Sequence, residues 1–197
     1  MNLPNKLSLG RMILIPIIVL VVVFPYAQFN LAVPIYYFEF VALPLTNIIV
    51  LILFVIASIT DFLDGYIARK HQLITTFGKF IDPIADKMLT TTMFIIFAAS
   101  GIIPVVAVLI MVWRDIIVDG IRMVASSEGV VMAAGYLGKV KTVAQMLTVI
   151  VILLNNLPFE LYRFPMADFL LWFSVSISFI SGVSYFLQSR EFLFKTK

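Results

Sequence analysis

Asp61 and Asp64 stand three residues apart, Asp82 and Asp86 four apart, and all four fall in the stretch "DFLDGYIARKHQLITTFGKFIDPIAD", residues 61–86. On helices, both spacings put a pair on one face, with Cβ atoms about 5–6 Å apart. Four ionised carboxylates at the edge of a low-dielectric region repel one another, and Arg69 and Lys87 are too few to neutralise them. A bound divalent cation, and more comfortably two, cancels that charge. Oxygen-only donors suit Mg²⁺ or Mn²⁺, with Ca²⁺ able to enter but preferring a different geometry.

The residues between the pairs suit a phosphate ligand. Gly65 and Ala68 follow Asp64, Gly78 precedes Asp82, and small side chains let a ligand approach the backbone. A plainer reading stands beside this one. Gly65 and Ala68 also serve close helix packing in membranes, and Arg69 serves as an interfacial residue with its head in water. Solvated acids at an interface are ordinary, but four in helical register around one short connection are not, and ionisable groups near a membrane are functional by default.

The rest of the chain is built for lipid. Of 197 residues, 62% are hydrophobic and 13% charged, and the mean hydropathy is +1.08. This composition predicts an integral membrane protein. The absence of cysteine excludes thiol catalysis, thiolate metal sites and disulfides, and the lone His71 excludes a histidine cluster. The net charge of +3 carries no nucleic-acid reading here, because in a membrane protein the placement of charge matters more than its sum.

Apolar periodicity and turn residues predict an all-α bundle of six transmembrane helices in one domain, residues 1–197, with spans near 10–29, 45–69, 79–100, 103–125, 139–157 and 165–188. Breaks are expected at Pro25 and Pro34, at Gly101 and Pro104, and at Asn155, Asn156 and Pro158. The first apolar run shows no clear small-residue cleavage site and is expected to stay in the protein. Lys6, Arg11, Arg69, Lys70, Lys79, Lys87, Arg122, Lys139, Lys141, Arg190, Lys195 and Lys197 fall toward one side, whereas the opposite connections hold only Arg163. The positive side is expected to be cytoplasmic, which puts both termini and the four aspartates there.

The eight residues Asp61, Asp64, Gly65, Ala68, Arg69, Gly78, Asp82 and Asp86 occur with gaps that resemble, without departure, the signature of the CDP-alcohol phosphatidyltransferase family. The resemblance implies a multi-pass protein of the cell membrane, a homodimer, with its active site on the cytoplasmic side. The reaction it implies is attack of an alcohol hydroxyl on the CDP-linked phosphate of a CDP-lipid, CDP-diacylglycerol, releasing CMP. By carry-over, Asp61, Asp64 and Asp82 hold two metal ions, Mg²⁺ or Mn²⁺, and Asp86 contributes to the site and takes the hydroxyl proton. Asp61, Gly65, Ala68, Arg69 and Gly78 would bind the CDP-lipid.

Further along, Arg114, Arg122, Lys139 and Lys141 offer a cationic cup for a phosphorylated acceptor. Arg114 and the lysines have an alternative: Arg114 pairs with its neighbour Asp115, and the lysines follow the positive-inside pattern. Residues 114–146 resemble the corresponding part of family members whose acceptor is sn-glycerol 3-phosphate, with inositol phosphate as the alternative acceptor. Asn5 and Arg11 suit either a headgroup contact or interface anchoring. A different class, a cation transporter binding its cargo on the four aspartates, is opposed by the predicted third, fifth and sixth spans, which carry acids only near an end or not at all.

Overall fold

In the computed structural model the described residues are 3–70, 76–127 and 135–193, without the side chains of residues 3–5, 62, 64–69, 76–83, 86 and 191–193. Among them run six α-helices: α1 (Leu3–Val23), α2 (Leu45–Lys70), α3 (Thr76–Ala99), α4 (Val105–Ser127), α5 (Tyr136–Leu153) and α6 (Met166–Leu193). Two strands, β1 (Ile35–Phe38) and β2 (Val41–Pro44), lie between α1 and α2. His71 lies outside the described residues.

The helices match the expected spans within a few residues at most ends, and turn chemistry explains where they stop. α1 starts earlier than expected and ends at Val23, two residues before Pro25. Gly101, at φ +72°, follows α3 in the left-handed region that glycine enters without steric cost. Asn155 and Asn156, at φ 51° and 63°, turn the chain after α5. Asn156 fixes that turn by donating through Nδ2 to Glu160 Oε2 at 2.7 Å and to the Phe164 carbonyl at 2.8 Å.

The expectation of an all-α chain needs correcting at residues 35–44, where β1 and β2 pair antiparallel from Ile35↔Pro44 to Phe38↔Val41. β-Branched and aromatic residues favour the strands, and Glu39 at φ 54° makes the tight turn. Val41 and Leu43 of β2 are buried while all four residues of β1 are exposed.

Among the described residues three helices are long and apolar enough to cross a membrane, over Lys6–Val23, Tyr136–Leu153 and Met166–Arg190. Leu45–Asp61 and Lys87–Ala99 are shorter apolar stretches. α4 carries Arg114, Asp115, Asp119 and Arg122 within its span, which takes it out of that class.

The chain divides into two compact units, Met1–Met93 with Ile150–Phe164, and Phe94–Val149 with Pro165–Lys197. In the first, α1 packs on α2. Ile15 and Ile18 of α1 are buried, as are Val50, Phe54 and Ala57 of α2, the last three spaced along one helix face. Asn155 Nδ2 donates to the Ala42 carbonyl, and its Oδ1 accepts from Asn47 at 3.2 Å, joining the turn to the hairpin and to the first turn of α2. In the second unit α4 packs on α6. The buried face of α6 is unusually small and polar: Ser174, Ser178, Ser181 and Ser189 are each at most 1% exposed. Such residues let helix backbones approach closely.

Candidate active site

In the first unit the carboxylates are carried by α2 and α3. α2 is helical through Asp61 and Asp64, and α3 through Asp82 and Asp86, so each pair keeps its common helix face. The side chains of Asp64, Gly65, Ala68, Arg69, Gly78, Asp82 and Asp86 lie outside the described set. Among the described residues no three His, Cys, Asp or Glu side chains gather to hold a metal ion.

Asp61 is described, and its partner is unexpected. Arg11, a full helix away on α1, gives Nη1 to Asp61 Oδ1 as an ion pair. The Arg11 side chain is 0% exposed and that of Asp61 30%. An arginine anchored at a membrane interface keeps its head in water; Arg11 instead lies within the protein, where a charge is tolerated when paired. Asn5, the other residue expected near a headgroup, has its side chain outside the described set. The donor chemistry suits a hard divalent ion, since all four acids offer oxygen and Arg11 engages one carboxylate oxygen of Asp61.

In the second unit α4, α5 and α6 bring three cations around one carboxylate and one tyrosine. Arg114 Nη1 donates to Asp115 Oδ1 at 2.8 Å, and Lys141 Nζ reaches Asp115 Oδ1 and Oδ2 at 2.6 and 2.8 Å. The pairing of Arg114 with Asp115 is thus present, but as one side of a three-membered cluster that reaches across to α5. The side chains are 10%, 16% and 7% exposed for Arg114, Asp115 and Lys141.

Arg114 continues to α6, where Nη2 donates to Ser181 Oγ at 2.5 Å. It also lies against Gly182, at which a Cβ would sit 2.8 Å from Arg114 Cγ. Glycine is there because the arginine stem occupies the space of a side chain.

Arg122 lies two turns beyond Arg114 on α4 and donates from Nη2 to the Tyr185 hydroxyl at 2.7 Å. The same hydroxyl accepts the Gly135 N–H at 2.7 Å. The Tyr185 ring has the Arg122 guanidinium 5.0 Å from its centroid and that of Arg114 5.7 Å away. Lys139 is exposed and enters none of these bonds.

Arg114, Arg122 and Lys141 are therefore brought together, and Lys139 is not among them. Sequence reasoning passed over Asp115 as more than a neighbour to Arg114, and passed over Ser181, Gly182 and Tyr185 altogether. A signal existed: Ser174, Ser178, Ser181, Tyr185 and Ser189 recur at helical spacing, so this face of α6 is not made for lipid.

The family profile described as CDP-alcohol phosphatidyltransferase matches residues 1–180. A CDP-diacylglycerol–glycerol-3-phosphate 3-phosphatidyltransferase of Bacillus subtilis (strain 168) is 43% identical over 192 residues, 98% of this chain and 97% of the relative. A protein of the same description from Rickettsia bellii (strain RML369-C) is 32% identical over 192 residues, 97% of each chain. Another, from Mycoplasma genitalium, is 42% identical over 98 residues, 50% of this chain and 42% of the relative.

Proposed function

The chain belongs to the CDP-alcohol phosphatidyltransferase family, and we propose that it transfers the phosphatidyl group of CDP-diacylglycerol to sn-glycerol 3-phosphate, giving phosphatidylglycerophosphate and CMP. The observation that carries this is the 43% identity, along nearly the full length of both chains, to a relative named for that reaction.

The division of labour follows from the residue chemistry. Asp61, Asp64, Asp82 and Asp86 would hold Mg²⁺ or Mn²⁺, as a pair of ions. When bound, the metal supplies neutralisation of the pyrophosphate and polarisation of the attacked phosphorus. Asp86 takes the proton of the acceptor hydroxyl as that oxygen bonds to phosphorus and CMP leaves. Gly65, Ala68, Arg69 and Gly78 line the nucleotide pocket. Arg11 holds Asp61 in place and matches part of the acidic charge.

Arg114, Arg122 and Lys141 take the acceptor phosphate, with Lys139 as an outlying cation. Support comes from the meeting of Arg114 and Lys141, both little exposed, at the single carboxylate of Asp115, with the Arg122 guanidinium beside the same Tyr185 ring as that of Arg114, so that three cations share one anion. Guanidinium groups suit phosphate because their paired N–H donors match its oxygens.

The reading places six spans in the cell membrane, both termini and the reaction on the cytoplasmic side, and two copies in the working unit. The acyl chains of the CDP-lipid stay in hydrocarbon as its headgroup enters sideways from the cytoplasmic leaflet, and glycerol 3-phosphate arrives from the cytosol.

The test is CMP release by the purified protein in detergent with CDP-diacylglycerol and Mg²⁺, offered glycerol 3-phosphate, inositol 1-phosphate, serine or no acceptor in parallel. Release that depends on glycerol 3-phosphate is expected. Release with inositol 1-phosphate instead overturns the acceptor assignment, and no metal-dependent release with any acceptor overturns the reaction.

A further inference from the structure

We infer that Tyr185 is a positioning residue of the acceptor site, holding Arg122 and Arg114 in place along the seam between α4 and α6. The inference rests on the reading that these cations take the acceptor phosphate.

Tyr185 is 5% exposed, and its hydroxyl oxygen accepts two N–H donors at once, one from Arg122 and one from the backbone of Gly135. Two such bonds at 2.7 Å fix the oxygen between α4 and the residue that leads into α5. The ring works separately from the hydroxyl, because its face lies within cation–π range of both guanidinium groups. One side chain thus restrains two arginines by two different means.

The choice of tyrosine matters. Asp115 restrains Arg114 and Lys141 by placing a negative charge among them, which offsets part of their attraction for an anion. A phenol restrains Arg122 without neutralising it, so the full positive charge stays available to a phosphate. An arginine immobilised before binding also loses less rotamer freedom when the phosphate arrives, which tightens binding. Tyr185 therefore acts on acceptor affinity through Arg122, without contact with the reacting atoms.

The experiment compares the full-length wild type with Y185F, Y185L and R122A in detergent with Mg²⁺. It measures kcat, the KM for each substrate and the thermal midpoint. Y185F loses both hydrogen bonds and keeps the ring. Its KM for glycerol 3-phosphate should rise about tenfold, with kcat within about twofold and the KM for CDP-diacylglycerol unchanged. Y185L, lacking the ring as well, should raise the acceptor KM further, so that phenylalanine restores part of what leucine loses.

An unchanged acceptor KM in Y185F, beside a raised one in R122A, overturns the positioning inference and leaves the acceptor site standing. An unchanged acceptor KM in R122A removes the acceptor site and the inference with it. A fall in kcat and thermal midpoint in Y185F at constant acceptor KM makes Tyr185 a packing residue only, which also overturns the inference. Should Y185L fail to fold, the acceptor KM of Y185F decides.

Discussion

Asp86 and Asp61 share the same chemistry and differ in the task assigned to them. If Asp86 chiefly takes the hydroxyl proton, Asp86→Asn should lower CMP release at least about a hundredfold while CDP-diacylglycerol still binds. Radiolabelled CDP-lipid retention beside the CMP assay checks this, and lost binding would make Asp86 chiefly a metal ligand. The two lysines separate in the same way. Lys141 is buried against Asp115 and Lys139 is exposed, although the sequence offers them as equals two residues apart. Lys141→Ala should raise the KM for glycerol 3-phosphate about tenfold and lower the thermal midpoint, since it leaves Asp115 with one fewer counter-charge. Lys139→Ala should change both little. Equal effects of the two substitutions would contradict the geometry.

Helix α6 shows how an element with no signature residue can still shape a site. Ser181 accepts a hydrogen bond from Arg114 of α4, Ser174 meets Thr148 of α5, and Gly182 leaves the space that Arg114 fills. Gly182→Ala would place a methyl 2.8 Å from Arg114 Cγ, too close for any ordinary contact. The arginine stem must then shift, and its bonds to Ser181 and Asp115 with it. The expected result is a raised acceptor KM with the KM for CDP-diacylglycerol unchanged; a wild-type acceptor KM would mean that Arg114 moves without consequence. The helices themselves were readable from the sequence, because apolar runs bounded by proline, glycine and asparagine have few other outcomes. The hairpin at 35–44 was not, since a four-residue strand is too short for its alternation to stand out among aromatic residues. The partnerships were hidden for a different reason. Arg11 and Asp61 are 50 residues apart and Lys141 and Asp115 are 26 apart, and helical periodicity tells which residues share a face but not which faces meet. Basic residues read as an inside-positive pattern therefore include two, Arg11 and Lys141, that are buried in the protein.

The signature on α2 and α3 announced the family from eight positions, and the composition announced the membrane; the proposed sidedness rests on charge alone and has a direct test. α1, α4 and α6 expose large apolar side chains, among them Leu20 at 66%, Ile116 at 64% and Phe179 at 61%, as helices in contact with lipid do. The proposed arrangement of six spans with the basic ends in the cytoplasm predicts that the hairpin faces outward and the end of α4 inward. The chain has no cysteine, so single cysteines report position without background. Glu39→Cys, at the hairpin turn, should react with a membrane-impermeant maleimide added to intact cells. Ser126→Cys, exposed near the end of α4, should react only after the membrane is opened. Reaction of both from outside would place the acceptor cations of α4 away from the cytosol, where glycerol 3-phosphate is expected to arrive. It would overturn the inside-positive orientation together with the route proposed for the acceptor. The opposite pattern, Ser126→Cys alone from outside, would invert the protein while leaving the six spans intact.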